Sequence, residues 1–235
     1  MKIVDTVCGL VLVLCVLGGC YRGFFSAALS LTETLLSIVL AALTTPFLAA
    51  AAKGNAALYN MLLYYTEGSE YVAKTSVELT RTSIHGVNAL QLRAIIDRAD
   101  MPLPMGERVL DNVAQEVFRT TGYTALGDYF NLTIVAVVIN LICFFLCFLV
   151  FRLLMGLVMR AFEYGRGGFP LLSRFDTATG AGIGFLEGAV LLFVLFLLLP
   201  PVLTVLPKIG VYVNRSFFGE FFYRANPLYM LIPGT

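Results

Sequence analysis

Four long apolar stretches constrain the fold of this chain more than any other feature of its sequence. They cover residues 3–20, 24–52, 130–151 and 182–199, and the third continues toward residue 159. A helix needs about 20 apolar residues to cross the hydrocarbon core of a bilayer, so each stretch is long enough for one crossing. Because backbone groups in lipid must form their hydrogen bonds within the segment, the stretches predict helices and not strands.

The composition excludes several classes of protein. Hydrophobic residues make up 59% of the 235 residues and charged residues only 13%, whereas an ordinary soluble domain is about 25% charged. This argues against a plain cytosolic enzyme and against a disordered chain. A net charge of +1 gives no basic surface for nucleic acid. We therefore expect an all-α, polytopic membrane protein whose main partner is the lipid bilayer.

The connections between the stretches predict two helical hairpins. Only Tyr21, Arg22 and Gly23 separate the first two stretches, and Gly23 supplies the backbone freedom that a tight turn needs. Residues 152–181, which are rich in Gly and Arg, join the third stretch to the fourth. We divide the chain into a first transmembrane hairpin (1–52), a polar helical insert (53–129), a second transmembrane hairpin with a basic connecting loop (130–206) and an amphipathic aromatic tail (207–235).

The insert and the tail both have helical periodicity. In the insert, Leu110, Val113, Ala114 and Val117 recur at the spacing of one helical face, and residues 101–105 (Met-Pro-Leu-Pro-Met) divide the pattern into two pieces. We expect a small helical lobe lying on the membrane. The tail predicts an interfacial helix, because its rings fall on one helical face; they are Phe217, Phe218, Phe221, Phe222 and Tyr223.

The charges of the connections predict an orientation. Short basic loops prefer the cytoplasm, and both connections of a four-helix topology lie on one side. Arg22 is in the first connection, and the second carries Arg152, Arg160, Arg166 and Arg174. We expect both termini and the insert to be extracytoplasmic, although Lys2 favours the opposite orientation.

The first stretch also has features of a bacterial lipoprotein signal, because Leu-Gly-Gly-Cys ends it at residue 20. Asp5 is acidic where such a signal carries basic charge, and the next apolar run begins directly after Arg22. We expect the segment to remain as a membrane helix.

The sequence has no catalytic or cofactor motif. It lacks a P-loop and the patterns G-x-S-x-G and H-E-x-x-H. His85 is the single histidine, so a multi-histidine metal site is excluded. The five cysteines lie in apolar runs without a C-x-x-C pair and are expected to be small apolar residues. We predict a protein that is not an enzyme and that binds no cofactor.

Ionisable residues within the stretches are candidates for function, because each costs about 2.5–3.5 kcal/mol near the centre of a membrane helix. Glu33, Glu187 and, at the membrane edge, Asp5 are the acids, and Asn140 is near the middle of the third stretch. If Glu33 and Glu187 meet, one of them should be protonated. Glu33 shares one helical face with small residues, which fits either close packing or a path for an ion, proton or substrate; they are Ser26, Ser30, Ser37, Ala41 and Thr44.

Three glycines predict a close helix–helix contact. Gly180, Gly184 and Gly188 recur every four residues, with Gly182 between them, and form a smooth face that another backbone can approach. The cluster has a superficial likeness to a nucleotide-binding loop, but no βαβ unit surrounds it. The glycine face could pack within the chain, against a membrane protein partner or against a second copy.

Two segments together resemble the colicin V production protein (CvpA) family of bacterial membrane proteins. The first contains Val4-Asp5, Arg22-Gly23-Phe24-Phe25 and Ala28-Leu29-Ser30-Leu31, and the second contains Asp176 followed by Gly180, Gly184 and Gly188. The resemblance covers residues 1–50 and 130–200 and leaves out the insert. Thr177 and Glu187 stand where the family often has arginine, so no role of those arginines transfers.

The resemblance implies a multi-pass protein of the bacterial inner membrane. It implies a part in producing a secreted peptide toxin, or more generally in envelope function. Our first hypothesis is a non-enzymatic protein of this kind. The alternatives are a transporter or lipid-handling protein that uses its intramembrane carboxylates, and a membrane enzyme in which Glu33, Glu187 and Asp176 converge.

Overall fold

The computed structural model describes residues 3–163 and 176–235, with side chains described for 3–159 and 176–235. Every regular element in these residues is helical, and a single bridge pairs Ser83 with Ala125. The all-α prediction is therefore confirmed for the described chain. The expected Gly- and Arg-rich connection, with Arg166 and Arg174, and the side chain of Arg160 lie outside the description, as does Lys2.

The helices follow one another from one end of the chain to the other. They are α1 (Ile3–Gly54), α2 (Ala56–Thr66), α3 (Ser69–Ala73), α4 (Val77–Arg81), α5 (Ala89–Ala99), α6 (Met105–Ala114), α7 (Leu126–Glu163), α8 (Asp176–Phe196), α9 (Leu199–Val205), α10 (Lys208–Asn214) and α11 (Phe217–Arg224). Short 3-10 turns cover Ile84–Gly86, Arg119–Thr121 and Pro227–Leu231.

Within the described ranges, three helical segments are long and apolar enough to cross a membrane: Ile3–Gly54, Leu126–Met159 and Asp176–Val205. Many of their large apolar side chains point away from the protein; Phe47 is 78% exposed and Leu153 is 70% exposed. Exposed apolar surface on this scale is stable in lipid and unfavourable in water. These segments indicate a membrane-embedded protein.

Helix α1 loses its helical geometry at one residue, Gly23, whose φ of 75° and ψ of 175° lie outside the helical region. This combination is essentially restricted to glycine because a Cβ atom would collide with the backbone. The departure from helix occurs at the residue where the sequence predicts a turn.

The chain divides into two compact units. Unit 1 takes the described residues of Met1–Thr45, Phe144–Leu198 and Lys208–Leu228. Unit 2 takes Pro46–Cys143, Leu199–Pro207 and Tyr229–Thr235. The polar insert thus belongs to unit 2, together with parts of α1 and α7.

The core of unit 2 joins the insert helices to the start of α7. Its fully or nearly fully buried members are Val72, Ile84, Leu92, Ile95, Val109, Leu126, Tyr129 and Phe130. Asn88 and Gln91 form a capping box that begins α5. The gap between α5 and α6 confirms that residues 101–105 divide two helices.

The predicted apolar face of α6 is only partly correct. The buried residues of the helix are Met105, Val109 and Asn112, whereas Ala114 is exposed and Val117 lies beyond the helix end. The cause is a polar side chain, Asn112, that is buried because it has hydrogen-bond partners, so the buried face is rotated from the one that apolar spacing indicates.

The tail forms α10, α11 and a 3-10 turn, so it is divided where the sequence suggests one helix. In unit 1, Phe222 packs against Phe193 and Phe196 of α8, with ring centroids 4.9 and 6.0 Å away. Phe217 is 75% exposed. The rings therefore divide between contacts within the protein and its surface.

Candidate functional site

A buried cluster of charges is the most distinctive polar feature of unit 1. Arg152 of α7 contacts two carboxylates from two other apolar helices. Its Nη1 lies 2.5 Å from Oε2 of Glu33 in α1, and its Nη2 lies 3.2 Å from Oε1 of Glu187 in α8. The two glutamates are 9% and 7% exposed. Each of the three helices thus contributes one charge to a common site.

Ser30 joins these groups to a second arginine. Its hydroxyl donates to Oε1 of Glu187 at 2.7 Å and accepts from Nη2 of Arg152 at 3.1 Å and from Nη1 of Arg22 at 3.2 Å. A hydroxyl has one proton and two lone pairs, so all of its hydrogen-bonding capacity is used. We call Arg22, Ser30, Glu33, Arg152 and Glu187 the ion cluster.

The formal charges of the ion cluster cancel, with Arg22 exposed and joined to Glu187 and Arg152 through Ser30. Two carboxylates carry two negative charges, and two guanidinium groups carry two positive charges, so the formal sum is zero. The sequence predicts a shared proton if Glu33 and Glu187 meet, because like charges in a low dielectric cannot both ionise. In the structure both carboxylates contact Arg152, which supplies one compensating positive charge.

Arg152 is the member of the ion cluster whose place in the fold the sequence does not predict. In the sequence it counts as part of the basic connection, because the third apolar stretch was ended at residue 151. Helix α7 continues to Glu163, and apolar residues follow Arg152 up to residue 158. A single charge with apolar sequence on both sides was the signal that it lies within a helix.

Two hydroxyl groups of the Glu33 face of α1, those of Ser37 and Thr44, and those of the adjacent Thr34 and Thr45 form hydrogen bonds within their own helix. Ser37 donates to the carbonyl oxygen of Glu33 at 2.6 Å, Thr34 to that of Ser30 at 3.0 Å, and Thr45 to that of Ala41 at 2.6 Å. Such local bonds satisfy the hydroxyl groups without water. They favour the close-packing interpretation of this face over a wet path.

The glycine face of α8 packs against the first part of α1. A Cβ atom on Gly184 would overlap the carbonyl group of Cys15, and one on Gly180 would overlap that of Gly19. At Gly188 a Cβ atom would lie 3.0 Å from Cβ of Cys15. Gly182, in contrast, has no atom within 4 Å of that position. The predicted close contact is thus made within the chain.

Asp176 and Gly23 form a second tight contact at the start of α8. Oδ1 of Asp176 accepts a hydrogen bond of 2.7 Å from the backbone N–H of Phe24. A Cβ atom on Gly23 would overlap the Asp176 carboxylate. The glycine therefore provides both the unusual backbone conformation and the space for the carboxylate.

Asp5 has a capping role in unit 1. Its Oδ1 accepts hydrogen bonds from Oγ of Ser216 at 2.6 Å and from the N–H of Phe218 at 3.0 Å. Ser216 in turn caps α11 by accepting from the N–H of Gly219 at 3.0 Å. A carboxylate at a helix N-terminus is also favoured by the helix dipole. These contacts attach the tail to the beginning of α1.

Asn140 belongs to unit 2 and has its own set of partners. It is 1% exposed, accepts from Nζ of Lys53 at 2.9 Å and donates to main-chain oxygens of Pro233 and Thr235. The predicted residues thus separate between the two units. The ion cluster, the glycine face and the contacts of Asp5 and Asp176 are in unit 1, whereas Asn140 and its partners are in unit 2.

Neither a metal site nor convergence of the three acids is present in the described part of the chain. No group of three or more His, Cys, Asp or Glu side chains lies close enough together there to hold a metal ion. Asp176 begins α8, eleven residues before Glu187 and about 16 Å away along an ideal helix. His85 is largely exposed, with Nδ1 3.5 Å from the Glu116 carboxylate.

Comparisons of the chain with protein-family models, with curated proteins and with solved structures found no match in any of the three. The resemblance to the CvpA family therefore depends on the motif residues described above.

Replacing Arg152 with methionine should strongly destabilise unit 1. The substitution Arg152→Met leaves two buried carboxylates without the cation that contacts them, which costs about 3–5 kcal/mol when one member of a buried pair is removed. Thermal unfolding in detergent, followed by circular dichroism, measures the loss. The triple variant Arg152→Met, Glu33→Gln, Glu187→Gln should recover most of the stability. A triple variant no more stable than the single one would show that charge compensation is not the role of Arg152.

Replacing Gly184 with leucine should disrupt the packing of α1 on α8. Overpacking a tight contact costs about 1–3 kcal/mol, and more where backbone atoms obstruct the side chain, as here. Gly182→Leu is the matched control, because it makes the same change on the same helix in open space. Melting temperature and size-exclusion profile in detergent should change for Gly184→Leu alone, and equal behaviour of the two variants would contradict the proposed contact.

Proposed function

We propose that the chain is a multi-pass protein of the bacterial cytoplasmic membrane that supports toxin production, export or another envelope process in the manner of the CvpA family, without catalysing a reaction. One observation carries the proposal: the motif residues behind the resemblance meet in unit 1. Gly23 contacts Asp176, and the glycine face of α8 contacts residues 12–19 of α1. Residues far apart in sequence thus form one packing unit.

The membrane layout that we propose has four spans in two hairpins. A continuous helix of 52 residues would be about 78 Å long, whereas the hydrocarbon core is about 30 Å thick. The break at Gly23 leaves a first segment of residues 3–22, which is about 30 Å long. Cys15 and Ser30, on opposite sides of the break, contact Gly184 and Glu187 of the same helix α8. These contacts support a reversal of the chain at Gly23.

The polar contacts favour a structural membrane protein over a transporter. Each carboxylate of the ion cluster binds Arg152, and the Ser30 hydroxyl has no hydrogen-bonding capacity left. The neighbouring hydroxyl groups of α1 bond to their own helix. A path for ions would instead require polar groups that face a wet cavity.

The orientation we propose places both termini and residues 53–129 outside the cytoplasm, because the two connections carry basic residues. The basis is Arg22 together with Arg160, Arg166 and Arg174. Arg152 no longer contributes, because it lies within the apolar part of α7 and contacts Glu33 and Glu187.

Cysteine accessibility measures this layout directly. In a chain whose five native cysteines are replaced by alanine, Thr121→Cys should react with an impermeant thiol reagent added to intact spheroplasts. Tyr21→Cys and Gly167→Cys should react only after permeabilisation, because both connections are placed in the cytoplasm. Labelling of Tyr21→Cys and Gly167→Cys from opposite sides would contradict the two-hairpin arrangement.

The functional proposal is tested in a bacterium that lacks its own CvpA-family protein and makes a colicin V type toxin. The wild-type chain and Gly182→Leu should restore toxin secretion, whereas Gly184→Leu should not, because only that variant disturbs the packing of α1 on α8. Membrane levels of each chain are measured by immunoblot. Failure of the wild-type chain to restore secretion at a normal membrane level would overturn the proposal.

A further inference from the structure

The segment Tyr229–Thr235 of unit 2 has hydrogen bonds to its backbone from three side chains. The main-chain oxygens of three consecutive residues accept hydrogen bonds from two asparagine side chains. Nδ2 of Asn140 donates to Pro233 at 2.8 Å and to Thr235 at 3.1 Å, and Nδ2 of Asn112 donates to Gly234 at 2.8 Å. Over residues 233–235, after the 3-10 turn that ends at Leu231, the alternation is that of an extended peptide, whose successive carbonyl groups point to opposite sides.

Each of the two asparagine side chains has a second hydrogen-bond partner that fixes its orientation. They are 4% and 1% exposed, for Asn112 and Asn140. Asn112 uses its second amide hydrogen on Oγ1 of Thr133 at 2.9 Å, and Asn140 accepts from Nζ of Lys53 at 2.9 Å. Two buried amides held in this way are a preorganised pair of donors, because little side-chain entropy remains to be lost on binding.

The side chains of the segment are selected at two positions. Ile232 is fully buried. Gly234 is also buried, and a Cβ atom there would lie 3.1 Å from Cβ of Arg108 and 3.2 Å from Oδ1 of Asn112. Met230, in contrast, is 84% exposed. The site therefore encloses an apolar residue and, two positions later, favours a glycine, while Tyr229 is also buried and Met230 is left free.

Arg108 adds a further donor at the same surface. Its Nη2 donates to the main-chain oxygen of Tyr229 at 3.1 Å. Its Nε is buried and has no acceptor among the described residues. A buried donor without an acceptor is unfavourable, so the surface retains capacity for one more acceptor than the segment supplies.

We propose that Lys53, Arg108, Asn112 and Asn140 form a binding site for a short polypeptide segment, a turn followed by an extended end, which Tyr229–Thr235 occupies as an internal ligand. The partner is a peptide segment with an apolar residue two positions before a glycine. Main-chain recognition makes the site tolerant of sequence elsewhere in that segment. The proposal goes beyond the envelope role and does not depend on it.

The internal ligand regulates access to the site. A covalently tethered segment acts at an effective concentration in the mM range. An external peptide therefore binds well only when the internal segment is weakened, or when the peptide is itself held close to the site.

Peptide binding to the full-length chain in detergent micelles tests the proposal. The probe is a fluorescent heptapeptide with the sequence of residues 229–235, and anisotropy reports binding. The variant Ile232→Ser, Gly234→Val, which weakens the internal segment, should bind the probe at least tenfold more tightly than the wild-type chain does. A probe carrying Gly234→Val should not bind, and a probe carrying Met230→Lys should bind as well as the original. Because valine is more apolar than glycine, absence of binding by the Gly234→Val probe also excludes partition of the probe into the micelles as the cause of the signal.

Two results would overturn the proposal. The first is that the Ile232→Ser, Gly234→Val variant, with the helix content and elution volume of the wild-type chain, binds the original probe and the Gly234→Val probe equally tightly. For a variant that does not fold, hydrogen exchange in the wild-type chain decides. Excess peptide should accelerate amide exchange within residues 229–235 by displacing them, and unchanged exchange would mean that the segment is a permanent part of the fold.

Discussion

Charge compensation in an apolar environment is the constraint on which the arrangement of unit 1 depends. Glu33 and Glu187 lie on predominantly apolar helices, and an uncompensated carboxylate there costs several kcal/mol. Arg152 binds both, so the three helices can meet only where their charged residues face one another. Glycine packing alone does not fix the relative positions of the helices along their axes, because smooth helix faces can pack in several registers. The ion cluster selects one register, and the contact of Gly184 with Cys15 then allows the backbones to approach closely.

Patterns with a simple physical cause were predictable from the sequence. The apolar stretches, the turn conformation at Gly23 and the close contact made by Gly180 and Gly184 each follow from one property, namely hydrophobicity, backbone freedom or the absence of a side chain. The helical content and the division of the insert at residues 101–105 follow in the same way. The identity of the helix that covers the glycine face could not be predicted, because glycine spacing carries no information about the partner.

Features that depend on pairing between distant residues were not predictable. Arg152 appeared to be a loop residue because its two partners are more than thirty positions away. The buried face of α6 differs from the apolar pattern because Asn112 is satisfied by Thr133 and Gly234. Asn140 was identified as an unusual polar residue in an apolar helix, but its role depends on a segment ninety residues later in the chain, with which no local pattern connects it.

The electrical neutrality of the ion cluster has a consequence for an energised membrane. Moving one elementary charge through the transmembrane field changes the free energy by about 2.3 kcal/mol per 100 mV. A group of side chains with no net charge that moves as a whole experiences no such driving force. With both carboxylates ionised, the transmembrane field therefore does no net work on the ion cluster when Arg22 and Arg152 move together with Glu33 and Glu187.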